Sequence, residues 1–522
     1  MKRPLTMIIA LLCATPAVAD DDVESQALAI HKLTADWQTA EARDTLMPLL
    51  AAHPKDQHLR YAHGRLLFFE GRYPEAYDVL YGLTEELGAD APGHMNVLRD
   101  DVRATRDALK DFDEVATDDG RFLIRFKGAD RLLLPYVIEV LQRADAALSA
   151  DFAFKPRGRV LVEIYPEIRY LAAVSPLTEE DIETSGTIAL CKYNRLMFTS
   201  PRALVRGYGW RDTLSHEFVH YYITKVSSNT VPIWLHEGIA KFEETRWRAE
   251  PGLGLDPPQE DLLARSLKAD KLVTFQQMHP SMAKLPSQQA AGLAFAQVHT
   301  VIAWLHLQKG YPALNALLAK LRGDAKMDAA LKATYGFDLD GLWSRWKADL
   351  AASGLKEYPG LVQTSLKFKR PGDDADPEAD YGTIEEKKVK DFAHLGELLR
   401  ARDRHGAAYV EYKKAMVLGG DGNPVIQNGA AASLLALDRA VDVPTTLNLV
   451  RSYYPGFLTT HIHLGEAFLA LGREAEAVAA FEEAVGINPF HPRPHKALAP
   501  LYEKAGRTDD AARAKRALEI LR

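Results

Sequence analysis

The C-terminal part of the chain repeats a pattern of small and apolar residues at a fixed interval. A repeat of this kind forms two short helices joined by a turn, and each unit buries its apolar face only against its neighbours. This region is therefore predicted to be a stack of helical pairs. Residues Leu464, Gly465, Gly472 and Ala477 recur 34 positions later as Leu498, Ala499, Gly506 and Ala511.

Weaker copies of the pattern occur earlier in the chain. One copy is Leu395, Gly396, Ala408 and Tyr412, a degenerate copy is expected around Asn428 to Leu437, and Gly64, Gly71, Ala76 and the stretch Tyr77 to Leu80 have the same spacing. The period is that of the tetratricopeptide repeat, TPR. Residues 391–522 are accordingly interpreted as a TPR repeat domain and residues 20–115 as a helical TPR-like region, for which an ordinary helical hairpin is an equal alternative.

The first 19 residues have the order of a secretory signal. Lys2 and Arg3 precede an apolar run from Met7 to Ala14, and small residues end at Ala19, before three aspartates. The run is shorter than the roughly 20 residues that span a bilayer. Residues 1–19 are therefore predicted to be a signal peptide cleaved near Ala19. The mature chain is then expected to be periplasmic or secreted, with no stable membrane span.

Charge and cysteine content exclude several kinds of partner and site. The formal net charge is -7 without a basic block, so nucleic acid is not an expected partner. Of the 2 cysteines, only Cys191 remains after cleavage, which excludes an internal disulfide and a Cys-rich zinc knuckle. Cys191 is interpreted as a buried or half-buried thiol.

The residues between the helical ends predict a mixed α+β region, residues 116–352. Apolar stretches predict strands at 121–126 and 159–165 around a helix at 132–150, and a strand pair at 187–190 and 196–199 joined by Lys192-Tyr193-Asn194. Residues 353–390 include a charged segment with prolines and glycines that cannot bury a core, and they are predicted to be a linker.

The middle region carries two histidines four positions apart. His216 and His220 therefore share one face of a predicted helix, with Glu217 between them and Asp212 as a suitable N-cap. Two imidazoles at this spacing can reach one Zn²⁺, and a glutamate beside the metal can take a proton from a bound water. A second helix is predicted to begin near Pro232 and carries Glu237 as a third ligand.

Together the two motifs resemble the gluzincin superfamily, specifically its peptidase MA-like group. In that group His-Glu-x-x-His is followed by Pro-x-Trp-Leu-x-Glu-Gly-x-Ala, which matches residues 232–240. The resemblance implies an α+β zincin-like metallopeptidase domain, here flanked by all-α TPR-type helical repeats. It also implies zinc as the cofactor, His216, His220 and Glu237 as its ligands, and Glu217 as the general base.

Other residues near Glu237 are alternatives for the third ligand: His236, Glu243 and Glu244. Glu237 is favoured partly by the resemblance and partly by ligand chemistry, and Glu244 is expected to support the site from the same side. The thermolysin branch has an aspartate four residues after its glutamate ligand, where this chain has Lys241. The motif therefore does not identify the group that orients the histidines.

Peptidases of this superfamily commonly bind substrate along an exposed strand before the zinc helix. The corresponding residues are Gly186, Thr187, Ile188, Ala189 and Leu190, and a plain core hairpin is the alternative. The predicted function is that of an exported zinc endopeptidase whose repeats recruit a protein substrate or partner. A catalytically inactive scaffold for envelope proteins is the main alternative. An aminopeptidase is less favoured, because no Gly-x-Met-x-Asn type motif precedes His216.

Overall fold

The structure is a computed structural model that describes residues 20–323, 325–369 and 384–522. The chain divides into two compact units, Met1–Arg103 and Ala104–Arg522. The predicted signal peptide, residues 1–19, and residues 370–383 of the predicted linker lie outside the described residues. The domain boundaries given above stay predictions.

The regular elements described in the first unit are all helices, joined by short turns. Its core comes from α1, α2 and α3 and includes Ile30, Leu46 and Leu59. A Cβ built on Gly64 would lie 2.6 Å from Leu80 Cγ, so this glycine lets α3 and α4 approach closely. The helices are α1 (Asp20–Ala35), α2 (Thr39–Ala52), α3 (Gln57–Phe69), α4 (Tyr73–Leu87) and α5 (Gly93–Leu109), which contains the division between the units.

The second unit contains a five-stranded sheet in the order β1-β2-β3-β5-β4. The three inner strands run parallel, and the two edge strands, β1 and β4, pair antiparallel with their neighbours. β3 and β5 are buried at every position, as expected for strands covered on both faces. The strands are β1 (Asp113–Ala116), β2 (Phe122–Phe126), β3 (Val160–Tyr165), β4 (Ala189–Lys192) and β5 (Arg195–Thr199).

The predicted strand pair is present with different bounds. Tyr193 and Asn194 alone form the turn between β4 and β5, and both have positive φ, 55° and 63°. Such a two-residue turn matches the twist of the strands that it joins. β1 was not predicted, because its residues are mostly exposed and show no apolar alternation.

Between Leu134 and Ala352, the described part of the second unit contains nine α-helices. They are α6 (Leu134–Asp151), α7 (Ile168–Val174), α8 (Glu179–Ser185), α9 (Trp210–Ser227), α10 (Ile233–Glu243), α11 (Pro257–Lys268), α12 (Gln288–Arg322), α13 (Met327–Tyr335) and α14 (Leu339–Ala352). Of these, α9, α10 and α12 pack against one another. Together with the sheet they are compatible with the predicted α+β class.

Among the described residues, α12 is the one helix that is long and apolar enough to cross a membrane by length and composition. The sequence analysis predicted no membrane span and did not identify this helix as a candidate. However, 56% of its apolar window is buried in the protein, and Gly310 interrupts the helix with φ 64° and ψ -169°. A core helix of a soluble protein meets the same criterion, so the feature is weak evidence for a span.

The predicted C-terminal repeats coincide with pairs of helices. A Cβ on Gly465 would lie 2.6 Å from the Phe481 ring, and one on Gly396 would lie 2.9 Å from Tyr412, so paired helices meet at these glycines. The degenerate middle copy falls on α17. The helices are α15 (Lys387–Arg400), α16 (His405–Ala415), α17 (Pro424–Ala436), α18 (Val443–Tyr453), α19 (Leu458–Ala470), α20 (Glu474–Ile487), α21 (Pro492–Lys504) and α22 (Thr508–Ile520). Their assignment to the TPR class stays a prediction.

The C-terminal helices contact the loop that leads into α9. The Tyr208 N–H donates to the Ile487 carbonyl at the end of α20, at 3.2 Å. The described part of the predicted linker is also bound to this region. The Lys369 N–H donates to the Ala203 carbonyl at 2.7 Å, and both backbone polar groups of Leu366 bind the side-chain amide of Gln288. This segment is therefore held along the protein surface.

Candidate active site

Helix α9 is buried on nearly all sides, which is typical of a helix inside a large core. Gly209 stands at its N-cap position, and Asp212 lies in its first turn. The prediction that Asp212 caps the helix was therefore wrong. Its carboxylate instead accepts hydrogen bonds from the Trp247 indole N–H at 2.8 Å and from the Arg248 guanidinium at 2.7 Å. These bonds tie the start of α9 to the segment after α10.

His216, His220 and Glu237 lie together, as their predicted roles require. The ring centroids of the two histidines are 4.7 Å apart. The Glu237 Oε2 atom on α10 lies 3.3 Å from His216 Nε2 and 3.2 Å from His220 Nε2. One oxygen of the Glu237 carboxylate thus lies close to a nitrogen of each imidazole. This donor set is the one that catalytic zinc sites use, with a position left for water.

Glu217 is buried beside these groups. Its side chain forms a compact cluster with those of His216 and His220, in which one possible ligand atom from each lies within 4.8 Å of the others. Its Oε2 atom has no hydrogen-bond partner among the described residues. Burial raises the pKa of Glu217 to about 7, against the opposing effect of the two histidines. A buried carboxylate with a pKa near 7 is suited to accept a proton from water near neutral pH.

The charges around His216 favour a cation. Burial lowers the pKa of this imidazole, but hydrogen bonds to Glu237 and Glu244 outweigh it and raise the pKa to about 10. Burial likewise raises the pKa of Glu237, yet His220 and His216 hold it well below its ordinary range. Positive charge is therefore stabilised between these carboxylates, and the residues present fit a divalent metal ion.

Glu244 is the group that orients His216. Its Oε2 atom lies 3.3 Å from His216 Nδ1, the nitrogen that faces away from Glu237. The Lys241 ammonium pairs with the other carboxylate oxygen of Glu244. A carboxylate in this position fixes the tautomer of a ligand histidine and raises its basicity. The supporting role expected for Glu244 thus has a structural basis, and Lys241 contributes to it.

His220 has a different partner. Its Nδ1 atom lies 2.6 Å from Nδ1 of His236, and His236 Nε2 lies 3.3 Å from Thr224 Oγ1. Burial, and then the neighbouring His220, lower the pKa of His236 to about 3. His236 therefore contacts His220 at Nδ1, whereas Glu237 lies near the other ring nitrogen, Nε2. The sequence contained no signal for this arrangement, because it depends on how α10 packs on α9.

The helix that carries Glu237 is held close to α12. A Cβ on Gly238 would lie 2.7 Å from Ile302 Cγ1 and 3.0 Å from the Val298 carbonyl oxygen. Phe295, also on α12, packs its ring against His216 with centroids 6.0 Å apart. α12 thus supports both helices that carry the candidate metal ligands.

The residues predicted to bind substrate lie at the edge of the sheet. β4 is the last strand in the sheet order, and Ala189 and Leu190 belong to it. Thr187 and Ile188 lead into it, and Gly186 caps α8 with φ 72°. Cys191 in β4 is half-buried, as predicted. β4 also packs against α9, and the role of residues 186–190 in substrate binding stays a prediction.

A cavity of about 580 Å³ opens beside Gly186, at the end of α8. Gly186, Tyr208 and Phe295 contribute to its lining, together with residues of the bound 363–367 segment. Phe295 also packs on His216, so the cavity adjoins the candidate metal site.

Comparison with known proteins gives one family match. Residues 143–352 match the model of the Peptidase MA superfamily. No curated protein matches the chain. Among solved structures, a mutant of MamA is similar at 22% identity, over 27% of this chain and 81% of that chain, with a TM-score of 0.23. The superfamily match, found in the residues that hold His216, Glu217, His220 and Glu237, supports a gluzincin-like peptidase domain in this chain.

Proposed function

We propose that the chain is an exported zinc metallopeptidase that hydrolyses peptide bonds, with Glu217 as the general base. The observation that carries the proposal is the buried Glu217 carboxylate beside His216 and His220, whose Oε2 atom has no hydrogen-bond partner in the described part of the chain. A structural zinc site closes its fourth position with a protein ligand and needs no such base. The inactive scaffold is therefore the less favoured alternative.

His216, His220 and Glu237 would hold the Zn²⁺. When bound, this ion would polarise the scissile carbonyl and lower the pKa of water. Glu217 takes the proton from the attacking water and passes it to the leaving amine. Because its pKa is raised to about 7, the carboxyl can both accept and release a proton near neutral pH. Glu244 accepts a hydrogen bond from His216 and keeps that imidazole in place.

The substrate is proposed to be an extended peptide that pairs with the free edge of β4. Backbone hydrogen bonds to such an edge hold a peptide regardless of its sequence, and neighbouring cavities select side chains. An endopeptidase is favoured over an aminopeptidase because no Gly-x-Met-x-Asn type motif precedes His216. Recruitment of a protein substrate or partner by the C-terminal helices, and a periplasmic or secreted location, are further parts of the proposal. They are supported by the repeat period and by the composition of residues 1–19.

The test compares the native protein with Glu217→Gln and His216→Ala. We expect the native protein to bind about one zinc and to cleave N-terminally acetylated peptides, which an aminopeptidase does not cleave. Glu217→Gln is expected to keep the zinc and to lose cleavage by a factor of about 10² or more, whereas His216→Ala loses both. If the native protein binds zinc but cleaves no peptide, the scaffold alternative is correct. Equal cleavage by native protein and Glu217→Gln would exclude Glu217 as the base.

A further inference from the structure

We infer that His236 is a positioning residue, which holds His220 in the orientation and tautomer that a metal ligand needs. The inference rests on the proposed function. The hydrogen bond between His220 Nδ1 and His236 Nδ1, at 2.6 Å, needs one donor and one acceptor. His220 Nε2 faces Glu237 at 3.2 Å and must keep its lone pair to bind a metal. The proton of His220 therefore sits on Nδ1 and is donated to His236.

Thr224 completes this arrangement. Because His236 accepts at Nδ1, its own proton is on Nε2, which lies 3.3 Å from the Thr224 hydroxyl oxygen. Thr224 is buried and lies one helical turn after His220 on α9. The hydroxyl thus accepts from His236, and the chain of hydrogen bonds runs from Nδ1 of His220 through His236 to Thr224 on the same helix as His220.

The two candidate ligand histidines consequently differ in their support. His216 donates to the carboxylate of Glu244, which is itself paired with Lys241. His220 donates to a neutral imidazole. His236 also directly precedes Glu237 on α10, so its bond to α9 ties two candidate ligands from different helices together. Removal of such an outer partner typically weakens metal binding 10–100-fold.

Three variants test the hydrogen bond separately from the packing of the ring. His236→Phe keeps an aromatic ring of similar size but offers no acceptor. His236→Asn places an amide oxygen near the position of Nδ1 and restores the acceptor without the link to Thr224. Thr224→Val keeps the shape of the side chain and removes only the second hydrogen bond.

The measurements are the zinc affinity by competition with a chromogenic chelator, the visible spectrum of the Co²⁺-loaded protein, and the Tm of the metal-free protein. We expect His236→Phe to bind zinc about 10–100-fold more weakly and with an altered Co²⁺ spectrum. His236→Asn should remain closer to the native zinc affinity. Thr224→Val should lose less zinc affinity than His236→Phe, because it removes only the second hydrogen bond. The metal-free Tm shows whether each variant folds, and if His236→Phe does not, His236→Asn and Thr224→Val still give the comparison.

The outcomes separate this inference from the proposed function. Native protein that binds no zinc would overturn both. Native protein that binds zinc, with His236→Phe unchanged in affinity, would overturn only the inference. Equal losses in His236→Phe and His236→Asn would also overturn it, since the restored acceptor would then have no effect.

Discussion

Neighbouring carboxyl groups in the candidate site have opposite pKa shifts. Burial raises the pKa of Glu217 to about 7, while two imidazoles outweigh burial at Glu237 and hold its pKa low. Groups whose surroundings separate their pKa values in this way commonly have different chemical roles. The shifts therefore agree with Glu237 as a permanently charged ligand and Glu217 as a base that exchanges protons.

Glu243 is fully buried outside this site, on the last turn of α10, and burial raises its pKa from 4.5 to about 8. Between these two values the unfolded chain releases a proton that the folded chain keeps, so stability falls as pH rises through this window. We expect Glu243→Gln, which stays neutral, to be more stable than the native protein at pH 9 by on the order of 5 kcal/mol. At pH 5 the two should differ little. Thermal unfolding at both pH values measures the difference.

The control for this prediction is Glu250→Gln. The Glu250 side chain is 92% exposed, so its neutralisation should leave the pH dependence of the Tm unchanged. Parallel pH profiles for the native protein and Glu243→Gln would show that the buried carboxyl is not protonated in the folded state.

At the scale of elements, the candidate site depends on the contact of α10 with α12. Gly238 allows this contact, because a Cβ there would meet Ile302 and the Val298 carbonyl. In a helix, alanine is normally about 1 kcal/mol more favourable than glycine. Here we expect overpacking, at a cost of about 1–3 kcal/mol, to outweigh that gain. Gly238→Ala should therefore have a lower Tm and, because Glu237 is adjacent, a weaker zinc affinity.

Gly292→Ala is the matched control on α12. Its new Cβ would lie 3.8 Å from Leu262, an ordinary contact, so the higher helix propensity of alanine should raise the Tm slightly. If Gly238→Ala were also stabilised, the close approach of α10 and α12 would not limit the site.

The same scale shows where sequence patterns succeed. β3 and β5 are recognisable because both faces are buried and most of the residues are apolar. The helix pair α19 and α20 is recognisable because Gly465 and Phe481 must meet. β1 is not recognisable, since an exposed edge strand needs no apolar residues and is held by its backbone bonds to β2.

At the scale of the whole molecule, the C-terminal helices belong to the same compact unit as the candidate site. Gly207, just before α9, has φ 75°, and a Cβ there would lie 2.5 Å from the Ile487 carbonyl oxygen. We expect Gly207→Ala to lower stability by about 1–3 kcal/mol through strain and the lost contact. We also expect faster proteolysis of the C-terminal helices. Thermal unfolding and limited proteolysis of the full-length protein measure these effects.

Gly209→Ala provides the comparison from the same loop. Gly209 has φ -70°, and nothing lies within 4 Å of a Cβ built on it. This variant should retain the native protease pattern. If both variants behaved alike, the contact with Ile487 would not contribute to holding the C-terminal helices on the loop before α9.

The sequence by itself determined the features that depend on local periodicity. The spacing of His216 and His220 sets them on one face of a helix, and the 34-residue interval predicts helical pairs, because helix geometry alone relates positions to faces. Only the tertiary structure decided which groups meet between elements. The bond of His236 to His220 and the contact of Gly207 with Ile487 join residues whose positions follow from packing. A local sequence pattern cannot predict such contacts, since they depend on the angle and distance at which whole helices pack.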